Sequence, residues 1–375
     1  MGLLLMKQNP EFQRLTNEIF NRQLSQDACL QEELDGRARQ KMYQDVQYNV
    51  DFLYTAMELE DEGIFERYAR WLYQLLVPLM PYCTRERVKD IMTDHYELIR
   101  SSMEAVMEEE KRPKLHRLLD CAVRVTAEEY EHGGHHEKED GYREEGCRGD
   151  GTKEPGAKGA ETNRGGTYEQ EITQYLSSML RSDMKGSMAL ITEYVNLGIP
   201  LSDICVDIVA EAMRRVGDLW HSHRISVDME HYCTSITQLS LSQLYPLIFN
   251  QQRKGKKVLV ACIGSELHEI GARMVADMFE YNGWDSIYLG AAVPVESVEN
   301  AIKEHQPVLA ALSVTMPQHL PLCRSAVEQL RKTCPQVRIA VGGLAFEHTD
   351  IWKNWDVDIY TKDAKELVTW ADETI

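Results

Sequence analysis

The sequence predicts an α plus α/β chain: an N-terminal all-α bundle, a flexible linker, a four-helix bundle and a C-terminal flavodoxin- or Rossmann-like unit with a five-stranded parallel sheet. Three observations predict it. Apolar residues recur at three- and four-residue steps through most of residues 10 to 250. The tract Glu131 to Thr167 is rich in Gly and charge and holds no Leu, Ile, Val, Met, Phe or Trp. From Lys256 onward, short continuous apolar runs alternate with helical patterns, as buried parallel strands and their crossover helices do.

The expected domains are residues 1–130, 131–167, 168–252 and 253–375. In the first, Ile64, Phe65, Tyr68, Trp71, Leu72, Leu75 and Leu76 form one helical face, with Trp71 read as core. Pro78 and Pro81 end that helix, and Thr84 caps the next, which carries Val88, Ile91, Met92, Tyr96 and Ile99. The second segment cannot bury enough apolar surface to offset its ordering entropy, so it reads as a tether; its His132, His135 and His136 read as solvated. In the third, Leu201, Ile204, Ile208, Val209, Ala212, Val216 and Leu219 mark a buried stripe, and Ser226 is the expected N-cap of the helix that follows. In the fourth, strands are expected at Val258–Ile263, 287–289, 309–314, 338–343 and 357–360, with helices between them. Ligands of such sheets sit beyond the carboxyl ends of the strands, so residues 264–271, 313–317 and 342–346 are where chemistry is expected.

Composition narrows the function. The chain has 375 residues, 43% of them apolar, enough for several cores. No run approaches the roughly 18 apolar residues of a membrane helix, and Met1-Gly2-Leu3-Leu4-Leu5-Met6 gives way to polar residues too early for a signal sequence. Net charge is −19, which disfavours nucleic acid and anionic lipid. The nine cysteines include no C-x-x-C pair, and they read as reduced thiols of a cytoplasmic protein rather than disulfides or a zinc site.

Two constellations carry chemistry. After the first strand comes Glu266-Leu267-His268-Glu269-Ile270-Gly271. A His on a loop leaving a central strand can offer one ring nitrogen to a metal while a nearby carboxylate holds the other. Gly271 leaves the start of the helix open to a bulky ligand. Ahead of that unit stand Trp220-His221 and, nine residues after His221, Glu230-His231, at the rim of two successive helices.

The first motif, followed by Ser313-Val314-Thr315 and Gly342-Gly343, resembles the B12-binding domain family, whose pattern is Asp-x-His-x-x-Gly, then Ser-x-Leu, then Gly-Gly. Here Glu266 replaces Asp and Thr315 replaces Leu. The resemblance implies that His268 is the lower cobalt ligand, with Glu266 as its hydrogen-bonding partner. Ser313 would contact the buried nucleotide tail, with Thr315 in the same strand-end motif, and Gly342 and Gly343 would make room for that tail. Both motifs in this order are similar to the CarH type of adenosylcobalamin photoreceptor, over residues 168 to about 372. That resemblance implies that Trp220 packs over the adenosyl group, Glu230 bonds its ribose, His231 lines the same pocket, and His221 takes the upper cobalt position after light. Well-known members carry an N-terminal DNA-binding domain; residues 10–130 hold no basic recognition helix, so the expected output is a protein partner or self-association, without direct nucleic-acid contact.

The leading rival is a corrinoid methyl carrier, which also joins a helical bundle to a His-bearing B12 domain. It gives no reason for Trp220, His221, Glu230 and His231 to stand together. A mutase subunit would need a substrate barrel for which the chain has no room. A metal site built from His221, His223, Glu230 and His231 lacks a helical Glu-x-x-His pair.

Overall fold

The protein was analysed as a computed structural model that describes residues 9–132 and 167–375. The expected linker and its His135 and His136 lie outside the described residues, apart from its first two residues and its last. Helix α6 runs through His132.

The first half is helical: α1 Pro10–Gln26, α2 Ala28–Glu33, α3 Gly36–Leu59, α4 Glu62–Leu79, α5 Arg85–Glu104 and α6 Arg112–His132. Its boundaries follow capping chemistry. Asp35 accepts from the Ala38 N–H (2.7 Å) and Thr84 from the Arg87 N–H (3.1 Å), each satisfying an amide that the first turn leaves without a partner. Pro78 sits in the last turn of α4, which stops at Leu79. The apolar stripes of α3, α4, α5 and α6 meet in a core that includes Phe65, Tyr96, Ile99, Leu118 and Leu119.

The second half begins with α7 Glu169–Leu180, α8 Met184–Asn196, α9 Leu201–Asp203, α10 Ala210–His221, α11 Val227–Ser242 and α12 Tyr245–Ile248. Residues Ile204–Val209 join α9 to α10 as a widened π turn, so the three run as one interrupted helix and the bundle has four long members. Ser226 stands at the N-cap of α11, but its hydroxyl makes no capping bond.

The sheet follows: β1 Lys257–Cys262, α13 Ile270–Tyr281, β2 Asp285–Tyr288, α14 Val295–His305, β3 Leu309–Ser313, α15 Leu320–Thr333, β4 Arg338–Gly342, β5 Ile359–Tyr360 and α16 Ala364–Thr374. All pairings are parallel in the order β2-β1-β3-β4-β5. Register places Cys262, Ser313 and Gly342 level at the carboxyl ends of the three central strands. The switch in strand order falls beside β1, so the loop after β1 opens into a crevice.

The N-terminal helices pack on the rest of the chain. Glu58 of α3 pairs with Arg324 of α15 at 2.7 Å, and Thr349 donates to Asp61. On the other side, the four-helix unit is tied to α16 by Lys365, which bridges Asp203 and Asp207 at 2.7 Å each.

One backbone position is closely determined. Gly343 has φ of 97°, and a Cβ there would lie 2.3 Å from the Val314 carbonyl oxygen. The second glycine of the pair is therefore required by the packing of two strand-end loops, in addition to any ligand. Gly343→Ala is expected to cost about 2 kcal/mol or more, read as a lowered Tm in thermal unfolding of the full chain.

Candidate functional site

The site grows from the sharp exit of β1. Gly264 turns the chain with φ of 80°, and the next residues run along the strand ends before α13 begins. Glu266 is folded inward, with a fully buried side chain. One carboxylate oxygen accepts from the His268 ring at Nδ1 (2.6 Å) and from the His268 backbone N–H (3.0 Å). The other accepts from the N–H groups of Thr315 (2.9 Å) and Met316 (2.7 Å). Four donors thus converge on one carboxylate, which ties the loop after β1 to the loop after β3.

Burial alone would raise the Glu266 carboxyl, but the bonds from His268 and from the Met316 amide outweigh it and hold the group down at about 2. The same contact raises the His268 imidazole, against the opposing effect of burial. The Glu230 charge, on α11 of the four-helix unit, raises it a little further. Because Nδ1 is committed to Glu266, the Nε2 atom of His268 is the one left to a ligand, and it carries no hydrogen bond among the described residues. His268 is 60% exposed and its neighbour Leu267 is 75% exposed.

Behind His268 lies a cleft of about 250 Å³. Gly271, Ser313, Thr315, Gly342 and Gly343 line it, together with Val206 and Ala210 of the four-helix unit. A Cβ at Gly271 would meet nothing within 4 Å, so that position is open. At Gly342 a Cβ would come within 3.1 Å of the Thr361 carbonyl oxygen. The cleft is mostly apolar and is lined by the His268 ring and by exposed Leu344 (62%), a lining that suits a bulky, largely apolar cofactor.

The other four residues, Trp220, His221, Glu230 and His231, do not line the cleft. Trp220 is half-buried at the end of α10. Glu230 bonds His231 Nδ1 (2.7 Å) and accepts from the Thr234 hydroxyl (3.0 Å) on α11. His221 turns toward the N-terminal bundle: its ring stacks on Trp71 with centroids 5.3 Å apart and planes at 12°, and its Nε2 lies 3.2 Å from the Trp71 carbonyl oxygen. His223 similarly reaches the Leu75 carbonyl oxygen at 3.0 Å. Trp71 is thus a contact between helical units, where the periodicity had placed it in the core.

Two participants escaped the sequence reading. Glu269 accepts from Gln238 of α11 (2.9 Å) and from the Tyr288 hydroxyl (3.1 Å), fastening the motif loop to the four-helix unit. Trp71 was visible only as one member of an apolar stripe. Neither carries a local signal, because both act across long sequence separations. No group of three or more metal-ligating side chains occurs among the described residues, so His221, His223, Glu230 and His231 do not form a metal cluster here.

Two stretches of the chain resemble known proteins. Residues 256–366 match a family model described as B12 binding domain, and residues 171–245 match a second model of the same description. The HTH-type transcriptional repressors CarA and CarH of Myxococcus xanthus are 28% and 26% identical over 126 and 141 residues. Those stretches are 33% and 37% of this chain, and 43% and 46% of the repressors, so the chain spans under half the length of these relatives. The monomethylamine corrinoid protein of Methanosarcina barkeri shares the fold at a TM-score of 0.50 and 20% identity, over 56% of this chain and all of that one. No helix among the described residues is long and apolar enough to cross a membrane.

Glu266→Ala should leave the Thr315 and Met316 amides without an acceptor and cost about 2–4 kcal/mol of stability. The Glu266 contribution is present above the ordinary carboxylate range and is lost as pH falls toward 2. His268 contributes the opposite way: its share is present below its ordinary value and is lost as pH rises through the raised one. Histidine NMR should therefore place His268 above its ordinary value in the wild type and lower in the Ala variant.

Proposed function

We propose that this chain, a member of the B12-binding superfamily, is an adenosylcobalamin-dependent light sensor that signals through its N-terminal helices. The observation that supports the reading is the succession of Trp220 and His221 at the end of α10 and Glu230 and His231 in the first turns of α11, immediately ahead of the sheet that carries His268. Bound adenosylcobalamin would supply a light-labile cobalt–carbon bond.

In this reading His268 would hold the cobalt through Nε2, and Glu266 fixes the ring's tautomer and orientation. Ser313 would contact the nucleotide tail, Gly342 and Gly343 would make room for it, and Gly271 would leave the helix start open to the cofactor, all of them lining the cleft together with Thr315. Trp220 and Glu230 pack against the adenosyl group, with His231 steadied by Glu230. His221 has two alternative partners: Trp71, as seen here, and the upper face of the metal. It cannot serve both. Any process that draws His221 toward the corrin breaks its stack on Trp71 and loosens α4, which supplies the differential contact that a switch requires. The chain then acts as a signalling protein of the cell interior rather than an enzyme, through a protein partner or through self-association.

The rival, a corrinoid methyl carrier, draws on the whole-length fold match to the methylamine corrinoid protein. The paired residues of α10 and α11 favour the sensor, because a carrier needs the upper face of its corrin free for partner enzymes.

The test is spectroscopic. The full chain loaded with adenosylcobalamin in the dark should change its visible spectrum under green light to a stable product, and His221→Ala should alter that product. Hydrogen exchange along α4 around Trp71 and Leu75 should rise on illumination in the wild type. A spectrum indifferent to light, together with methyl uptake from a corrinoid methyltransferase, would replace the sensor with the carrier.

A further inference from the structure

The N-terminal bundle contains a second cavity, of about 350 Å³, remote from the corrin cleft and lined by α3, α4 and α5. Its wall is largely apolar, with Leu72 and Leu76 of α4 and Met92 of α5 among its residues. Polar side chains interrupt that wall, Lys41 and Tyr96 among them, and three of them, Asp45, Asn49 and His95, present acceptors that no donor reaches among the described residues.

Asp45 and Asn49 lie one turn apart on α3. No hydrogen bond or ion pair reaches the Asp45 carboxylate among the described residues; burial raises the group to about 6, with Lys41 opposing only through space. The Asn49 amide nitrogen donates to the Asp45 carbonyl oxygen at 2.8 Å, which orients the amide and leaves its buried oxygen unpartnered. His95, on α5, is buried and neutral, held down at about 4 by desolvation. Its Nδ1 contacts the Gln23 side-chain oxygen at 2.7 Å, and Gln23 is oriented by its own amide donating to the Ile91 carbonyl oxygen at 3.4 Å. Nδ1 therefore carries the proton, and the unpartnered Nε2 is an acceptor.

An unpaired buried acceptor costs stability, and one largely apolar cavity with two of them, Asn49 Oδ1 and His95 Nε2, beside the half-buried Asp45 carboxylate departs from ordinary core design. We propose that this cavity is a small-molecule site for a flat, largely apolar compound that presents N–H donors to Asp45, Asn49 and His95. A donor-bearing ligand pairs groups that the fold leaves unpaired, while its body fills the apolar volume. The site shares α4 with the Trp71 contact to His221, so the two halves of the chain meet on one helix.

The inference is independent of cobalamin, and its test uses the full chain without cofactor. The probe is norharmane, a rigid fluorescent tricycle with one indole-type N–H; the control is its N-methyl derivative, which keeps the body and loses the donor. Norharmane should bind saturably at one site and raise the Tm, and the N-methyl compound should bind about tenfold more weakly. Asn49→Leu should weaken norharmane about tenfold and abolish its preference over the control. Ala38→Trp, at the mouth of the cavity, should block both compounds while circular dichroism stays unchanged; it serves as the check should Asn49→Leu disturb folding. Absence of saturable binding, equal affinity for the two compounds, or indifference to Ala38→Trp would overturn the proposal.

Discussion

The site depends on one buried carboxylate. Glu266 gathers four donors: the imidazole and backbone amide of His268, and the amides of Thr315 and Met316. A carboxylate taken out of water is costly unless its lone pairs are filled, and here they are. The reward is geometric. Two loops from adjacent strands are locked together, and the only ring nitrogen of His268 left to a ligand points away from its anchor. The length of the Glu side chain delivers one oxygen to each of the two loops.

Around that anchor the chain is built in three layers of control. The parallel sheet sets the height of the cleft through the level ends of β1, β3 and β4. The four-helix unit closes one side, fastened by Gln238 to Glu269 and by Lys365 to Asp203 and Asp207. The N-terminal helices grip the four-helix unit through His221 and His223, using main-chain acceptors on α4 that no side-chain motif announces. The N-terminal helices, which line none of the cleft, are thus in contact with a residue to which the proposed function gives a role at the metal.

Much of this was legible in the residue pattern, and the reason is local. Strand runs such as Val258–Cys262, helix stripes such as Ile64 to Leu76, and the Glu266-x-His268-x-x-Gly271 spacing encode their role within a few residues. What the pattern hid was tertiary. Trp71 lies on a stripe that faces the core, yet its ring ends at another unit's histidine. Gly343 looked like space for a ligand, whereas the approach of Val314 demands it first. Ser226 stood where a cap belongs but makes no capping bond. Contacts between residues some 150 positions apart, such as His221 with Trp71, leave no trace in spacing.

The central claim is that His268 Nε2 grips the metal of a corrin. Electron paramagnetic resonance of the cobalamin-loaded, one-electron-reduced protein tests it most directly, because a nitrogen bound to cobalt splits the signal. Protein grown with isotope-labelled histidine and loaded with unlabelled cobalamin should show a splitting changed by the label, and His268→Gln should lose that dependence. A splitting that ignores the label, set by the cofactor's own benzimidazole, would contradict the account.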